Sequence, residues 1–249
     1  MTGWTLADPE SARDLATFLH RAGQLDPGGA CRIVGVGKVA AVYVCAFHGA
    51  GTVTVLGLRT LALAEPSTLD AVVPISAVSD RLAHPQNGLT LPVPPQTITA
   101  PWAGVLPPRS GWRPVGLLDQ RTLHEVARNG VAEVASGAPE GSGSAAVTRL
   151  RTLVWGRDLP YAAVPEPTDA GPDATDRPSL TAAVGLAAQR LGFLSPAVGA
   201  DPGAGDRQAG RPGSPTGPGP MEPVPVHTAG AWTRVSCPGG FVLSRRPLI

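Results

Sequence analysis

The sequence predicts an α+β fold: a mainly antiparallel sheet that begins as a meander, helices packed against it, and a β-hairpin at the C-terminus. Three observations lead there. The first 25 residues carry an apolar stripe at helical spacing. Three β-rich runs follow, with connections far shorter than the crossover that parallel strands require. Near the end of the chain, two further strand-like runs flank Pro238-Gly239-Gly240.

Each element has a local reason. Asp8 is suited to cap the opening helix, Pro9 to its first turn and Gly23 to its end. Ala12, Leu15, Ala16, Leu19 and Ala22 form the stripe. Runs 31–36, 39–47 and 52–61 then read as strands, with hairpin turns expected at Gly37-Lys38 and at 48–51. The helix laid across this meander would bury both apolar faces. Residues 70–82 read two ways: Pro74 speaks against a central strand, while Ile75, Val78 and Leu82 suit a short helix. The prolines between 85 and 114 largely exclude regular structure.

A helix restarts at Asp119, with Leu118 and Leu123 placed as a hydrophobic staple. Its Leu123, Val126, Ala127 and Val134 share one face, and Arg121 and Glu125 can pair on another. Two helices, 145–155 and 179–191, follow, the second stopped by Gly192. The organisation expected is therefore an α+β core over 1–135 carrying a Pro/Trp-rich loop (85–116), a flexible linker at 136–144 and a helical segment at 145–194. A disordered Gly/Pro-rich stretch at 195–223 and a hairpin over 224–249 complete it. The stretch 195–223 holds seven glycines and seven prolines and has too little apolar surface to offset its ordering entropy. Whether the last hairpin joins the first sheet is open at this level.

Composition excludes more than it indicates. A net charge of +1 gives no general attraction for nucleic acid or acidic membranes. Lys38 is the only lysine, a skew that reflects GC-rich coding, so lone arginines carry little weight. No basic-then-apolar leader opens the chain, and no apolar run approaches the ~20 residues of a membrane span, so a soluble cytoplasmic protein is expected. Cys31, Cys45 and Cys237 lack C-x-x-C spacing and read as buried reduced thiols.

The motifs that resemble chemistry fail on context. Gly35-Val-Gly37-Lys-Val-Ala40 matches a dinucleotide fingerprint by letter, but the residues after it are strand material rather than a helix. It is no P-loop either, because Val39 stands where Ser or Thr should hold magnesium and Arg32 where the first glycine should fall. His20, His48, His84, His124 and His227 share no metal-ligand spacing. Spacing alone allows a Cys/His nucleophilic pair such as Cys45 with His48, yet Cys45 lies in an apolar run, where a thiol is normally inert. No catalytic residue, cofactor or metal is expected.

Two basic-aromatic patches remain. One is the loop with Trp102, Arg109, Trp112 and Arg113; the other is the last hairpin, with Trp232, Arg234, Arg245 and Arg246 and no acid after Glu222. Arginine beside exposed aromatic rings can stack on bases or grip anions. Tryptophan among prolines is as commonly an anchor that pins an irregular loop to a sheet. The first expectation is a non-catalytic interaction or scaffold protein that meets a protein partner through the Trp102–Arg113 loop. The second is nucleic-acid association, with 179–191 as recognition helix and the hairpin as wing of a winged helix. The third is a small-ligand protein or enzyme with a pocket beside the loop.

The run Trp102-Ala-Gly-Val-Leu-Pro-Pro-Arg-Ser-Gly-Trp-Arg-Pro-Val-Gly116, with Leu191-Gly-Phe-Leu194 and Trp232-Thr-Arg234, resembles a group of uncharacterised conserved proteins of high-GC actinobacteria. The resemblance covers most of the chain outside its two flexible segments. It implies no activity.

Overall fold

Asp8 accepts a hydrogen bond from the Ser11 N–H at 2.7 Å and so starts the first helix where the sequence places its cap. The structure is a computed structural model describing residues 3–48, 53–84, 88–137, 143–163, 179–196 and 221–245. In chain order the elements are β1 (Gly3–Thr5), α1 (Pro9–Leu25), β2 (Ala30–Phe47), β3 (Thr54–Ser67), β4 (Asp70–Pro74), α2 (Ile75–Ala83) and β5 (Thr90–Pro92). A single 3-10 turn (Pro101–Gly104) interrupts the proline-rich loop. Then come β6 (Arg113–Leu118), α3 (Gln120–Ser136), α4 (Ser144–Trp155), β7 (Asp158–Leu159), β8 (Ala162–Ala163), β9 (Leu180–Thr181), α5 (Ala182–Arg190), β10 (Val224–Ala229), β11 (Trp232–Cys237) and β12 (Gly240–Arg245). The expected linker (136–144) and disordered stretch (195–223) fall largely outside the described residues.

Eight strands form one antiparallel sheet in the order β4-β2-β3-β12-β11-β10-β6-β8. The C-terminal hairpin therefore joins the first sheet, through β12 on β3. The class is α+β and mainly antiparallel, as composition and turn spacing predict.

Gly37-Lys38 is not a hairpin turn. β2 runs straight through it, pairing with β4 over Ala30–Val34 and with β3 from Val39 onward. Gly37 takes φ +56, and the register with β3 shifts between Gly37 and Val39. A two-residue step on β2 (Gly37 to Val39) is matched there by a five-residue step on β3 (Ala62 to Ser67), so the surplus lies on β3, and the left-handed glycine lets β2 pass through the irregularity without ending. Gly35 is needed nearby for a different reason: its N–H donates to the Leu69 carbonyl at 2.6 Å, and a Cβ there would collide with Ser67. The glycine spacing that imitates a dinucleotide fingerprint thus serves a strand. Pro74 is tolerated because it ends β4, an edge strand, and α2 follows at once.

The helices share one face of the sheet. α5 is wrapped on all sides, with every residue from Ala182 to Ala188 buried. It packs against β2, β3 and β12 on one side and against α1, α3 and α4 on the other. Its alanine-rich surface is what lets a helix sit between two layers. It starts at Ala182, later than the helix expected from residue 179, because Leu180 and Thr181 pair with β7.

Gln120, the first residue of α3, is buried with both ends of its amide engaged. Its Nε2 donates to the Glu222 carbonyl at 2.6 Å, and its Oε1 accepts from the Ser195 N–H at 3.0 Å. His124 adds a contact to the Ser195 carbonyl at 3.0 Å. One side chain thereby ties the exit from α5 to the entry into β10. Gln120→Leu keeps the volume but takes the side-chain partner from the part-buried Glu222 carbonyl and Ser195 N–H. It is expected to destabilise the fold by about 1–3 kcal/mol, read as a lower urea midpoint; an unchanged midpoint would show that the tie is dispensable.

A basic and aromatic face on the second side of the sheet

The sheet face away from the helices is too apolar to meet water. Ala30, Tyr43, Leu56, Trp232 and Leu243 form its floor, and Trp102 with Ala103 closes over them from the proline-rich loop. An irregular loop replaces the helical layer used on the other side. Trp102 is only 8% exposed, so its ring anchors the loop. Burying such a ring stabilises by about 1.5–3 kcal/mol or more.

Arg32 holds this lid down. It makes a bidentate pair with Asp70, Nε to Oδ1 at 2.8 Å and Nη2 to Oδ2 at 2.7 Å, while its Nη1 donates to the Ala103 carbonyl. The hydrogen bond to Asp70 raises the Arg32 pKa, and the same bond from Arg32 holds Asp70 below the usual carboxylate range. Ile98 adds a strand-like bond to the Val72 carbonyl at 3.1 Å. The indole of Trp112 donates to the Pro108 carbonyl at 3.0 Å, folding the end of the loop on itself.

The loop and the hairpin meet in space. The Arg234 guanidinium lies 4.7 Å from the centre of the Trp112 ring and 5.5 Å from that of Phe241. Arg245 on β12 lies 5.6 Å from the ring centre of Trp232, its register partner on β11. His227 faces Arg234 across β10 and β11. Among the described residues, the Nε atoms of Arg234 and Arg245 and the Nδ1 of His227 are buried without a hydrogen-bond partner. Burial lowers the Arg234 pKa; burial first and the Arg234 charge second lower that of His227. Neither Arg234 nor Arg245 is ion-paired among the described residues.

The remaining sequence candidates separate. Arg109 is exposed on the loop, close enough for its charge, with that of Arg32, to oppose the burial that raises the Tyr43 pKa. Arg113 is exposed and pairs with Thr228, so the register places it on the sheet side opposite Arg234. Trp232 is buried beneath Arg245, and Trp112 is half-buried. Arg246 lies outside the described residues. Sequence reading passed over Arg32, His227 and Phe241. For the latter two the signal was there, as alternation puts both on the face of Arg234, but Arg32 needs a partner 38 residues away.

The winged-helix reading is overturned. A recognition helix must reach a groove, whereas α5 is enclosed, and the supposed wing is the middle of an eight-stranded sheet. The cysteine–histidine pair also dissolves: the Cys45 thiol points to the Val55 carbonyl and His48 Nδ1 contacts Thr54 Oγ1 at 2.9 Å. Burial pushes Cys31, Cys45 and Cys237 up to about 12, which keeps all three as un-ionised thiols at neutral pH. Among the described residues no three His, Cys, Asp or Glu side chains come together to hold a metal, and no helix is long and apolar enough to cross a membrane.

Comparison with known proteins finds a family described as Domain of unknown function (DUF8185) over residues 107–249, and one described as Domain of unknown function (DUF8010) over residues 1–104. No curated protein and no solved structure matches the chain.

Because the Asp70 pKa is lowered in the fold, the pair with Arg32 stabilises above the unfolded carboxylate pKa of about 3.9 and is lost as pH falls through the lower folded value. Asp70 is half-exposed, so solvent limits the effect to about 1 kcal/mol or less. Asp70→Asn is expected to lower the denaturation midpoint at pH 7 and to converge on the unmodified protein in strong acid. A gap that persists in acid would assign the loss to packing.

Proposed function

The chain belongs to the family of the domain of unknown function DUF8185, and we propose its function from its own surface: a non-catalytic interaction protein that meets an acidic protein partner through the basic and aromatic face. One observation carries the reading, the placement of Arg234 over Trp112, which merges the loop and the hairpin into a single surface. On that surface two arginines stand over aromatic rings, and neither is ion-paired among the described residues. Guanidinium on an aromatic ring is held in one orientation, so little entropy is lost when it grips an anion. Trp102 then serves as the anchor beneath the contact, with Arg109 at its margin. The single lysine among twenty cations fits the high-GC actinobacterial proteins that the loop motif resembles, and the cytoplasm is the compartment this reading assigns.

A nucleic-acid reading draws on the same rings, since bases stack on exposed aromatic faces beside arginine. The few cations present favour the protein partner, because phosphate binding needs many contacts to hold at physiological salt.

Fluorescence anisotropy with a labelled Glu/Phe-rich peptide and with a labelled single-stranded oligonucleotide separates the two. The peptide is expected to bind, and Arg234→Ala with Arg245→Ala to weaken it at least tenfold while the circular dichroism spectrum stays unchanged. Oligonucleotide binding that exceeds peptide binding would favour the second reading. Peptide affinity indifferent to both substitutions, or absent, would remove the face as the contact.

A further inference from the structure

On the helical side, remote from the face just described, α1, α3, α4 and α5 leave a cavity of about 410 Å³. That volume lies within the range of about 300–1,000 Å³ typical of small-molecule sites. Its inner wall is apolar: Trp155 and Leu186 are buried, and Leu25, Val131 and Val134 are half-buried. Three arginines line it from three different helices, Arg21 on α1, Arg151 on α4 and Arg190 on α5, with the Gln24 amide beside them. Among the described residues no carboxylate lines it.

Two arginines elsewhere on or beside the helices are neutralised, Arg59 by Asp14 and Arg157 by Glu133. Glu133 adjoins Val134 on α3, yet it is taken up by Arg157 in a bidentate pair. None of Arg21, Arg151 and Arg190 is in an ion pair among the described residues.

Arg21 is also fixed in place. Its Nη1 donates to the Leu191 carbonyl at 3.3 Å and the Gly192 carbonyl at 3.4 Å, at the end of α5. Gly192 takes φ +71 to stop the helix, and any Cβ on it would collide with the Arg21 guanidinium. The glycine thus makes room for the arginine, which retains further N–H donors beyond the one used.

We propose that this cavity binds a small anionic amphiphile, with a carboxylate or phosphate head held by Arg21, Arg151 and Arg190 and a compact apolar body against Trp155 and Leu186. Like charges over a low-dielectric wall focus a positive potential, which an anion relieves through charge-assisted hydrogen bonds. The planar fork of guanidinium suits either head group. The apolar wall excludes a bare inorganic ion as the best occupant, since most of the pocket would stay filled with poorly bonded water. The proposal is independent of the interaction face.

Isothermal titration calorimetry with four probes below their micellar concentrations tests it: decanoate, decyl phosphate, decanol and inorganic phosphate. Decanoate or decyl phosphate is expected to bind, at least tenfold more tightly than decanol or inorganic phosphate, and comparing the two identifies the preferred head. Arg151→Ala with Arg190→Ala, both exposed positions, should weaken that binding at least tenfold with an unchanged urea midpoint. Val131→Trp, which fills the cavity, should abolish it. Arg234→Ala with Arg245→Ala should leave it intact. Equal binding of decanol, loss of binding in the Arg234/Arg245 variant, indifference to the Arg151/Arg190 variant, or no binding of either anion would each overturn the proposal.

Discussion

The ladder between β3 and β12 is the constraint on which the rest of the structure depends. It sets Thr54 opposite Arg245 and Leu58 opposite Phe241, and so closes most of the chain into one loop. The entropy of that closure grows only slowly with length, and the reward is a continuous sheet whose two faces must both be covered. The two family matches divide the chain between residues 104 and 107, but the sheet does not divide there. Three strands from the first region and five from the second are hydrogen-bonded side by side.

Covering that sheet explains the unusual elements. One face takes α5, a helix of small residues that can lie close to the strands and still leave α3 and α4 room above it. The other face has no helix to spare and takes the loop around Trp102, clamped by Arg32 and Asp70. The most distinctive run of the sequence is therefore in large part the lid of a second core. Its end stands apart from that lid, where Trp112 emerges half-buried beside Arg234.

Most local signals in the sequence were read well, although Gly23 does not end α1, which runs on to Leu25. The caps at Asp8 and Asp119, the stop at Gly192 and the turn at Pro238–Gly240 all depend on neighbours within a few residues, and each appears where expected. Non-local features were not legible. Gly37 carries the same signature whether a strand turns or bulges, and only the later pairing of β2 with both β4 and β3 decides. The apolar character of α5 allowed burial but could not say on how many sides. The Trp112–Arg234 contact joins positions from different regions of the chain, so neither patch alone revealed that they form one face.

Native-state hydrogen exchange followed residue by residue under mild denaturant tests the central claim, that both regions of the chain fold as one sheet and jointly build the face. Amides of β2 and β3 are expected to open with the same free energy as those of β11 and β12, in a single cooperative step. Two opening energies that divide at residues 104–107 would contradict the account. They would make the sheet two independent units in contact, with the face an accident of their docking.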